Sequence, residues 1–304
     1  MSSIAILITA YKEPTVAKLL DSIFDPKNNN FNQCMTVYLS APDYETKQVA
    51  QNSAIKWNQL SNFIILTDLG QGKPSALNLA LSQINADWVI CTDGDVFLDA
   101  NSIDNLIKTI DSNEISGLGA ISGRPVSNDS KSNFWGYIGH LLADAAHTKR
   151  NEVYKLGESY FVSGYLVAYQ KKLLKDLPFN TLIDDAQFSC QIIEQGYQIG
   201  YQPRATVKIK YPSNLTDWIN QKRRSAGGYR ELKKDFPKLF YAGKTRSLWS
   251  ELSFFLFPFK YAKSPLELIY SLILFPLRLY LWILIWLDGV SKKDNLWTRI
   301  ESTK

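Results

Sequence analysis

Two aspartates, Asp93 and Asp95, flank one glycine just after a short apolar run, Trp88-Val89-Ile90-Cys91. The run is brief, β-prone and bounded by polar residues, which predicts a buried strand. Ligands of open α/β sheets gather beyond the carboxyl ends of the strands. Both carboxylates are therefore expected where a ligand sits. Adjacent carboxylates repel unless positive charge lies between them. Hard divalent cations take oxygen ligands and are often held by one or two carboxylates plus substrate phosphates. The pair points to a Mg or Mn ion carrying a phosphorylated substrate, with Gly94 letting that ligand come close to the backbone. A plain turn is the competing meaning of Asp-Gly-Asp.

Other segments carry chemistry of their own. Gly70-Gln-Gly72-Lys73 follows a strand-like run and opens a helical one. Backbone amides and a lysine at a helix start suit phosphate. The segment is not a P-loop, because Thr67 stands in place of the first glycine and Pro74 in place of Ser or Thr. Thr9-Ala10-Tyr11-Lys-Glu13-Pro14 closes the first strand. Tyr11 can stack on a base, and Glu13 can accept from a ribose or a base. An acidic helix entry is the alternative. Asp184-Asp185 precedes a helical run; one carboxylate can cap the helix and the other can act as general base near an acceptor hydroxyl. In Gln221-Lys-Arg223-Arg224, Gln221 and Arg224 share a helix face. Arginine forks bind phosphate oxygens, and a solvated basic face is the other meaning. His140, Asp144 and His147 also share one helical face, as a second metal site or as an ordinary packed surface.

The elements that must position these residues alternate. Strand-like runs at 3–9, 34–40, 62–67 and 87–92 enclose helical patterns near 14–24, 44–57 and 73–84. Such alternation implies βαβ units and a parallel sheet. Further on, 117–124 and 160–169 look like strands. Helices are expected near 131–148, 185–195 and 215–235, and two short strands around Pro203 within 197–210. The sheet is then mixed. The chain has 304 residues, 45% of them apolar and 21% charged, enough for a substantial globular core. A net charge of +5 with dispersed Lys and Arg argues against a nucleic-acid partner. Cys34, Cys91 and Cys190 lie far apart and are expected as buried free thiols in a reducing compartment. The first residues lack a basic n-region and a long apolar run, so a first core strand is expected there, not a signal peptide.

From about residue 248 the composition becomes apolar. Residues 266–287 number 22, with Glu267 and Arg278 as the exceptions. That length can span a bilayer, and the apolar side chains outweigh the insertion cost of one arginine, about 2.5–3.5 kcal/mol. A single span leaves Lys292, Lys293 and Arg299 on the far side from a cytosolic catalytic half, against the positive-inside tendency. An in-plane segment removes that conflict. Both forms of membrane attachment stand at this point, beside a buried helix or an oligomer interface.

Taken in order across residues 4–228, the chemistry-bearing segments resemble the inverting family 2 glycosyltransferases of the A-type nucleotide-diphospho-sugar transferase fold (GT-A). There is partial similarity to membrane polysaccharide-synthase members. The resemblance implies a Rossmann-like α/β fold with a mixed central sheet and flanking helices, plus an apolar C-terminal helical membrane-associating segment. It implies a catalytic domain over 1–240 and a membrane-associated region over 245–304. Thr9, Ala10, Tyr11 and Glu13 match the opening nucleotide-binding segment. Gly72, Lys73, Ala76 and Asn78 match a Gly-Lys…Ala-x-Asn element. Asp93, Gly94 and Asp95 match the diphosphate motif, with Asp93 and Asp95 on the metal. Ser163-Gly164 matches a small-residue turn near donor and acceptor. Asp185 falls on the catalytic base, with Asp184 beside it at the donor, inside Asp-Asp…Gly196-Tyr197. Gln221 and Arg224 match Gln-x-x-Arg-Trp, where Ser225 replaces the tryptophan and removes a stacking platform for an acceptor sugar. Asp43 stands in for the family's acidic pair after the second strand.

The implied activity is metal-dependent, inverting transfer, of hexosyltransferase type, from a nucleoside-diphosphate sugar. A UDP-sugar is the expected donor and a lipid-linked or saccharide molecule the acceptor. The catalytic half is expected on the cytoplasmic face of a membrane. One alternative is a nucleotidyltransferase of similar fold, although the basic Gly-rich loop it needs after the first strand is missing. Another is a non-catalytic sugar-nucleotide-binding membrane protein, which intact Asp93, Asp95 and Asp185 oppose.

Overall fold

Four apolar runs make the parallel half of one sheet: β1 (Ile4–Thr9), β2 (Thr36–Ser40), β3 (Phe63–Leu66) and β4 (Trp88–Asp93). In the computed structural model, which describes residues 2–112, 114–241, 255–290 and 301–303, β1 pairs in parallel with both β2 and β4. A strand covered on both faces reads as an unbroken hydrophobic run, and Ala5 to Ile8 are buried throughout. The mixed half contains β5 (Phe97–Leu98), β6 (Leu118–Ser127), β7 (Leu166–Gln170) and β8 (Gln198–Ile209). The strand order is β3-β2-β1-β4-β7-β6-β8-β5, with β7 antiparallel to β4 and to β6. The α/β class and the mixed sheet agree with the sequence reading.

Helices α1 (Val16–Phe24), α2 (Tyr44–Lys56) and α3 (Lys73–Gln83) connect the parallel strands. On α1, Val16, Leu19, Leu20 and Ile23 are buried, the spacing of one helical face. Next come α4 (Ser102–Ser112), α5 (Phe134–Lys155), α6 (Asp184–Glu194), α7 (Leu215–Asp235) and α8 (Pro237–Tyr241). An apolar helix, Pro265–Val290, follows and continues through Pro276.

Several expectations need correction. Residues 197–210 form one strand, not two. The backbone stays extended through Pro203, and β5 pairs with this strand only at Val207 and Lys208. The strand expected at 160–169 starts only at Leu166. Residues 162–164 instead form a laced turn: Val162 N–H donates to Ser189 Oγ at 3.1 Å and Ser163 N–H to Ser122 Oγ at 3.0 Å. Cys34 is exposed in a turn, its N–H held by Asn32 Oδ1 at 2.7 Å, whereas Cys91 and Cys190 are buried thiols.

The chain divides into two compact units, Met1–Pro125 with Arg150–Ile209, and Val126–Lys149 with Lys210–Lys304. This division does not coincide with one at residue 240. The first unit holds the whole sheet apart from the last residues of β6. In the second, Tyr137, Ile138 and Leu141 of α5, Trp218 of α7, and Leu274 and Leu281 of the apolar helix share one buried cluster. Their apolar faces need each other, which groups α7 with the C-terminal helix.

Candidate active site

β1, β2 and β3 are laid down outward in one direction, and the chain then returns to place β4 on the other side of β1. Ligands of such sheets bind in the crevice where the order reverses, beyond the strand ends. Thr9 and Asp93 are registered partners at that point, and Gly94 N–H donates to the Thr9 carbonyl at 3.0 Å. A Cβ on Gly94 would lie 2.7 Å from Ala10 Cβ and 3.3 Å from Glu13 Cγ. Gly94 is therefore also needed for packing against its own chain.

Lys73 opens α3. Its Nζ lies 2.8 Å from Asp93 Oδ1 and 3.0 Å from Asp184 Oδ2. One ammonium thus ties the end of β4 to the start of α6. Burial alone would lower the lysine pKa, but Asp184 and Asp93 outweigh it and hold the ammonium well above its ordinary value. Burial, together with Asp95 and Asp184, raises the Asp93 carboxyl above its usual range despite the pull of Lys73. The Cys91 thiol, pushed up to about 12 mainly by burial, stays protonated. Thr9, Lys73, Asp93, Gly164 and Asp184 line one cavity.

Asp185, in the first turn of α6, accepts from Gly164 N–H through Oδ2 at 3.0 Å and from Ala186 N–H through Oδ1 at 2.8 Å. The sequence reading had one aspartate capping the helix. Ile183 holds the cap position instead and makes no side-chain cap bond. Burial first, and Asp184 second, raise the Asp185 pKa, outweighing Lys73 and the two amides. A carboxylate with a raised pKa is a better match to the work of a general base. A Cβ on Gly164 would lie 3.1 Å from Asp185 Cβ and 3.4 Å from both Cγ and Oδ2, so the carboxylate would have to yield by a few tenths of an ångström. Gly164→Ala is expected to lower kcat about tenfold, given that a 1 Å misplacement can cost about 10²-fold. Steady-state kinetics paired with a thermal melt checks this; unchanged kcat in a well-folded variant would show that the carboxylate position does not matter.

The approach to α6 is held by carboxamides. Asn78 accepts from Leu177 N–H and donates to Leu177 C=O, both at 2.8 Å. Gln191 makes the same two-ended clamp on Lys175, at 2.9 and 3.3 Å. Gln195 donates to Leu173 C=O at 2.8 Å. Asn78 lies in a matched segment; Gln191 and Gln195 were missed, and their sequence signal is two glutamines four residues apart, on the last turn of α6 and at its C-cap.

Around the end of β1 the acidic side chains also hold the local backbone. Glu13 is buried, and its Oε1 accepts from Thr15 Oγ1 at 2.6 Å and Thr15 N–H at 3.2 Å, a helix-entry arrangement. Asp43 caps α2, accepting from Thr46 N–H and from Lys12 N–H, both at 2.9 Å. Burial raises its pKa, but bonds from Lys12 and Thr46 outweigh this and leave it below the usual value. Tyr11 is exposed, with Lys12 Nζ 5.4 Å from its ring centroid. Asp68, not anticipated, accepts from Ser40 Oγ at 3.1 Å and Gly70 N–H at 2.8 Å, fixing the loop before α3. Its signal was the Asp-x-Gly spacing of an Asx-type turn. In that loop Gly72 has φ +100°, open to glycine and strained for other residues.

In the second unit, Gln221 and Arg224 lie on α7. Arg223 Nε, between them in sequence, is 2.6 Å from Asp288 Oδ2. His140 Nε2 contacts Asp129 C=O at 2.7 Å and Asp144 Oδ2 accepts from Tyr261 OH at 2.8 Å. These side chains are engaged with protein groups, which removes the second-metal option. Among the described residues no three His, Cys, Asp or Glu side chains form a ready cation cage. A cation shared with a diphosphate needs only one or two carboxylates, and Asp93 and Asp95 offer hard oxygen donors at the switch point.

A sheet reversing beside paired carboxylates fits the GT-A architecture. A family profile described as glycosyl transferase family group 2 matches residues 88–287, and the chain belongs to that family. The poly-beta-1,6-N-acetyl-D-glucosamine synthase of Staphylococcus epidermidis is 26% identical over 174 residues, 56% of this chain and 42% of that protein. Its counterpart in Staphylococcus aureus strain COL is 27% identical over 183 residues, 58% of this chain and 44% of that protein. The chain spans less than half the length of these curated relatives. Two solved structures share the fold. The mannosyltransferase PcManGT of Pyrobaculum calidifontis, in complex with GDP-Man and Mn2+, has a TM-score of 0.58 at 19% identity, covering 90% of this chain and 73% of that one. Glucosyl-3-phosphoglycerate synthase of Mycobacterium tuberculosis, with Mg2+ and UDP, has a TM-score of 0.51 at 15% identity, covering 78% and 80%.

Proposed function

We propose that this glycosyltransferase moves a sugar from a nucleoside-diphosphate sugar to a saccharide or lipid-linked acceptor with inversion, at a membrane surface. The observation that carries the reading is the joining of Asp93, Lys73, Asp184 and Asp185 at the sheet's switch point. Asp185 takes the proton of the acceptor hydroxyl as that oxygen attacks the anomeric carbon. The bond to the diphosphate breaks in the same displacement, and the nucleoside diphosphate leaves. A Mg or Mn ion held by Asp93 and Asp95 would neutralise charge on the leaving group. Lys73 keeps Asp93 and Asp184 in fixed relation. Gly72 and Lys73 at the start of α3 offer backbone and ammonium to the donor phosphates, and Gln221 and Arg224 are assigned to the donor by family resemblance. The catalytic machinery faces the cytoplasm, and the apolar C-terminal region attaches the protein to the membrane. The polymer named for the staphylococcal relatives supports a UDP-activated amino sugar as the first donor to try, with a saccharide acceptor.

The test is release of nucleoside diphosphate from a panel of UDP- and GDP-sugars, with Mn2+, Mg2+ or EDTA. Metal-stimulated release from one donor is expected, lost in EDTA. Pyrophosphate release from a nucleoside triphosphate and a sugar phosphate would replace this reading with nucleotidyl transfer. Tight donor binding without turnover, with acceptors supplied, would replace it with a sensor.

A further inference from the structure

The helix Pro265–Val290 is arranged inside out. Two of its polar groups are buried against its own unit, Ser271 and Asp288, and Glu267 and Arg278 are half-buried. The other face carries Leu266, Ile269, Leu272, Leu279, Ile283 and Trp286, each 48% or more exposed. A helix facing water shows the reverse pattern. A contiguous stripe of this length on a soluble surface marks an interaction site, and an apolar medium is the chemistry that suits it.

Length alone permits a crossing: the apolar stretch Pro265–Asp288 has 24 residues, about 36 Å at 1.5 Å per residue, against a hydrocarbon core of about 30 Å. Docking opposes one. Near the amino end, Ser271 Oγ meets Tyr137 OH at 2.8 Å and donates to Pro258 C=O at 3.0 Å. Leu274 and Leu281 are buried in the cluster with Tyr137 and Trp218. Near the carboxyl end, Arg223 Nε meets Asp288 Oδ2 at 2.6 Å, and Arg230 reaches Ile285 C=O at 3.4 Å. The helix is thus fastened at both ends to one polar unit. Its neighbour α7 carries nine charged residues in 21, and each charge at a bilayer centre costs about 2.5–3.5 kcal/mol on insertion scales. α7 cannot accompany the helix into hydrocarbon.

We infer that Pro265–Val290 lies in the plane of an anionic lipid surface, apolar face in the acyl boundary and polar face on its own unit, and does not cross the bilayer. Charge complementarity selects lipid over a second copy of the chain: Lys131, Lys260 and Lys263 are exposed near the amino end, and the sequence places Lys292 and Lys293 just after the other. Basic residues flanking an apolar face attract anionic headgroups. The inference rests on the membrane attachment proposed above and commits to its geometry.

The full chain, with Cys34→Ser as background, would carry either Lys263→Cys or Lys293→Cys. Each would be labelled with a membrane-impermeant maleimide in right-side-out and inside-out vesicles from the expressing cells. Both positions are expected to react from the same face. Reaction from opposite faces, in protein that stays membrane-bound after a salt wash, would overturn the in-plane geometry and leave attachment intact. Recovery as a soluble dimer after the wash would overturn attachment itself. As an independent check, purified protein should float with vesicles of phosphatidylcholine and phosphatidylglycerol at least tenfold more than with phosphatidylcholine alone; equal flotation would remove the charge argument.

Discussion

Asp185→Asn is expected to lose about 10²–10⁴ in kcat, the range for removing a general base, while donor affinity and the fold persist. The carboxylate oxygens sit on two backbone amides, Gly164 and Ala186. An asparagine can keep one of those bonds through its carbonyl and loses the other, worth about 1 kcal/mol. Against that stands the burial that raises the aspartate pKa in the folded protein. A carboxyl that binds its proton more tightly when folded adds no penalty below its unfolded pKa. The penalty grows as pH rises through the ordinary aspartate value, about 3.9, and is complete above the raised folded value. The parent should therefore lose stability relative to Asp185→Asn over that interval, and the two unfolding free energies should lie within about 1 kcal/mol of each other near neutrality. The same shift sets the rate profile: activity should fall on the acid side with an apparent pKa above the ordinary one, because the base must be unprotonated. Urea melts across pH, with kcat measured alongside, read both effects. A variant that turns over at the parental rate removes Asp185 from the chemistry.

The parallel half of the sheet was legible because β1 and β4 are buried on both faces and write themselves as apolar runs, and β2 as a shorter alternating one. The helix expected near 215–235 stands at Leu215–Asp235 because its pattern is long, and the structure adds an N-cap at Asn214, which accepts from Asp217 N–H. β5 escaped detection: two residues, Phe97 and Leu98, carry no periodicity. Pro203 misled because local rules weigh a proline as a strand break, whereas the strand runs through it from Gln198 to Ile209. At the site, sequence spacing selected Asp93, Asp184 and Asp185, yet the charge expected between Asp93 and its neighbours proved to include a lysine of the same chain. Contacts between residues 73, 93 and 184 are set by the crossover of the chain, which no local window contains. Gly94 shows the converse limit, since a glycine reports a need for space and not who fills it.

Lys73 also divides the labour of the two metal-motif aspartates, which makes their variants separable. Asp93→Ala strips Lys73 of one of its two carboxylates. Removing one partner of an ion pair costs about 3–5 kcal/mol when fully buried; the side chains here keep 30% and 25% of their exposure, so about 1–3 kcal/mol is expected. The Lys73 ammonium is paired with Asp93 and Asp184, so Asp95→Ala should leave that bridge in place. Its loss should appear in the response to metal. Charge stabilisation by a bound divalent ion is worth several kcal/mol, and each 1.36 kcal/mol is tenfold in rate, so Asp95→Ala should lose about 10²–10⁴ in metal-stimulated turnover. The parent should also gain thermal stability from Mn2+ with UDP together, as any ligand of the folded state confers, and Asp95→Ala should not. Mn2+ titrations of nucleoside-diphosphate release, run beside melts with and without Mn2+ and UDP, separate the two roles. Full metal-stimulated turnover by Asp95→Ala would place the cation elsewhere and leave the Asp93–Lys73–Asp184 bridge as a purely structural tie.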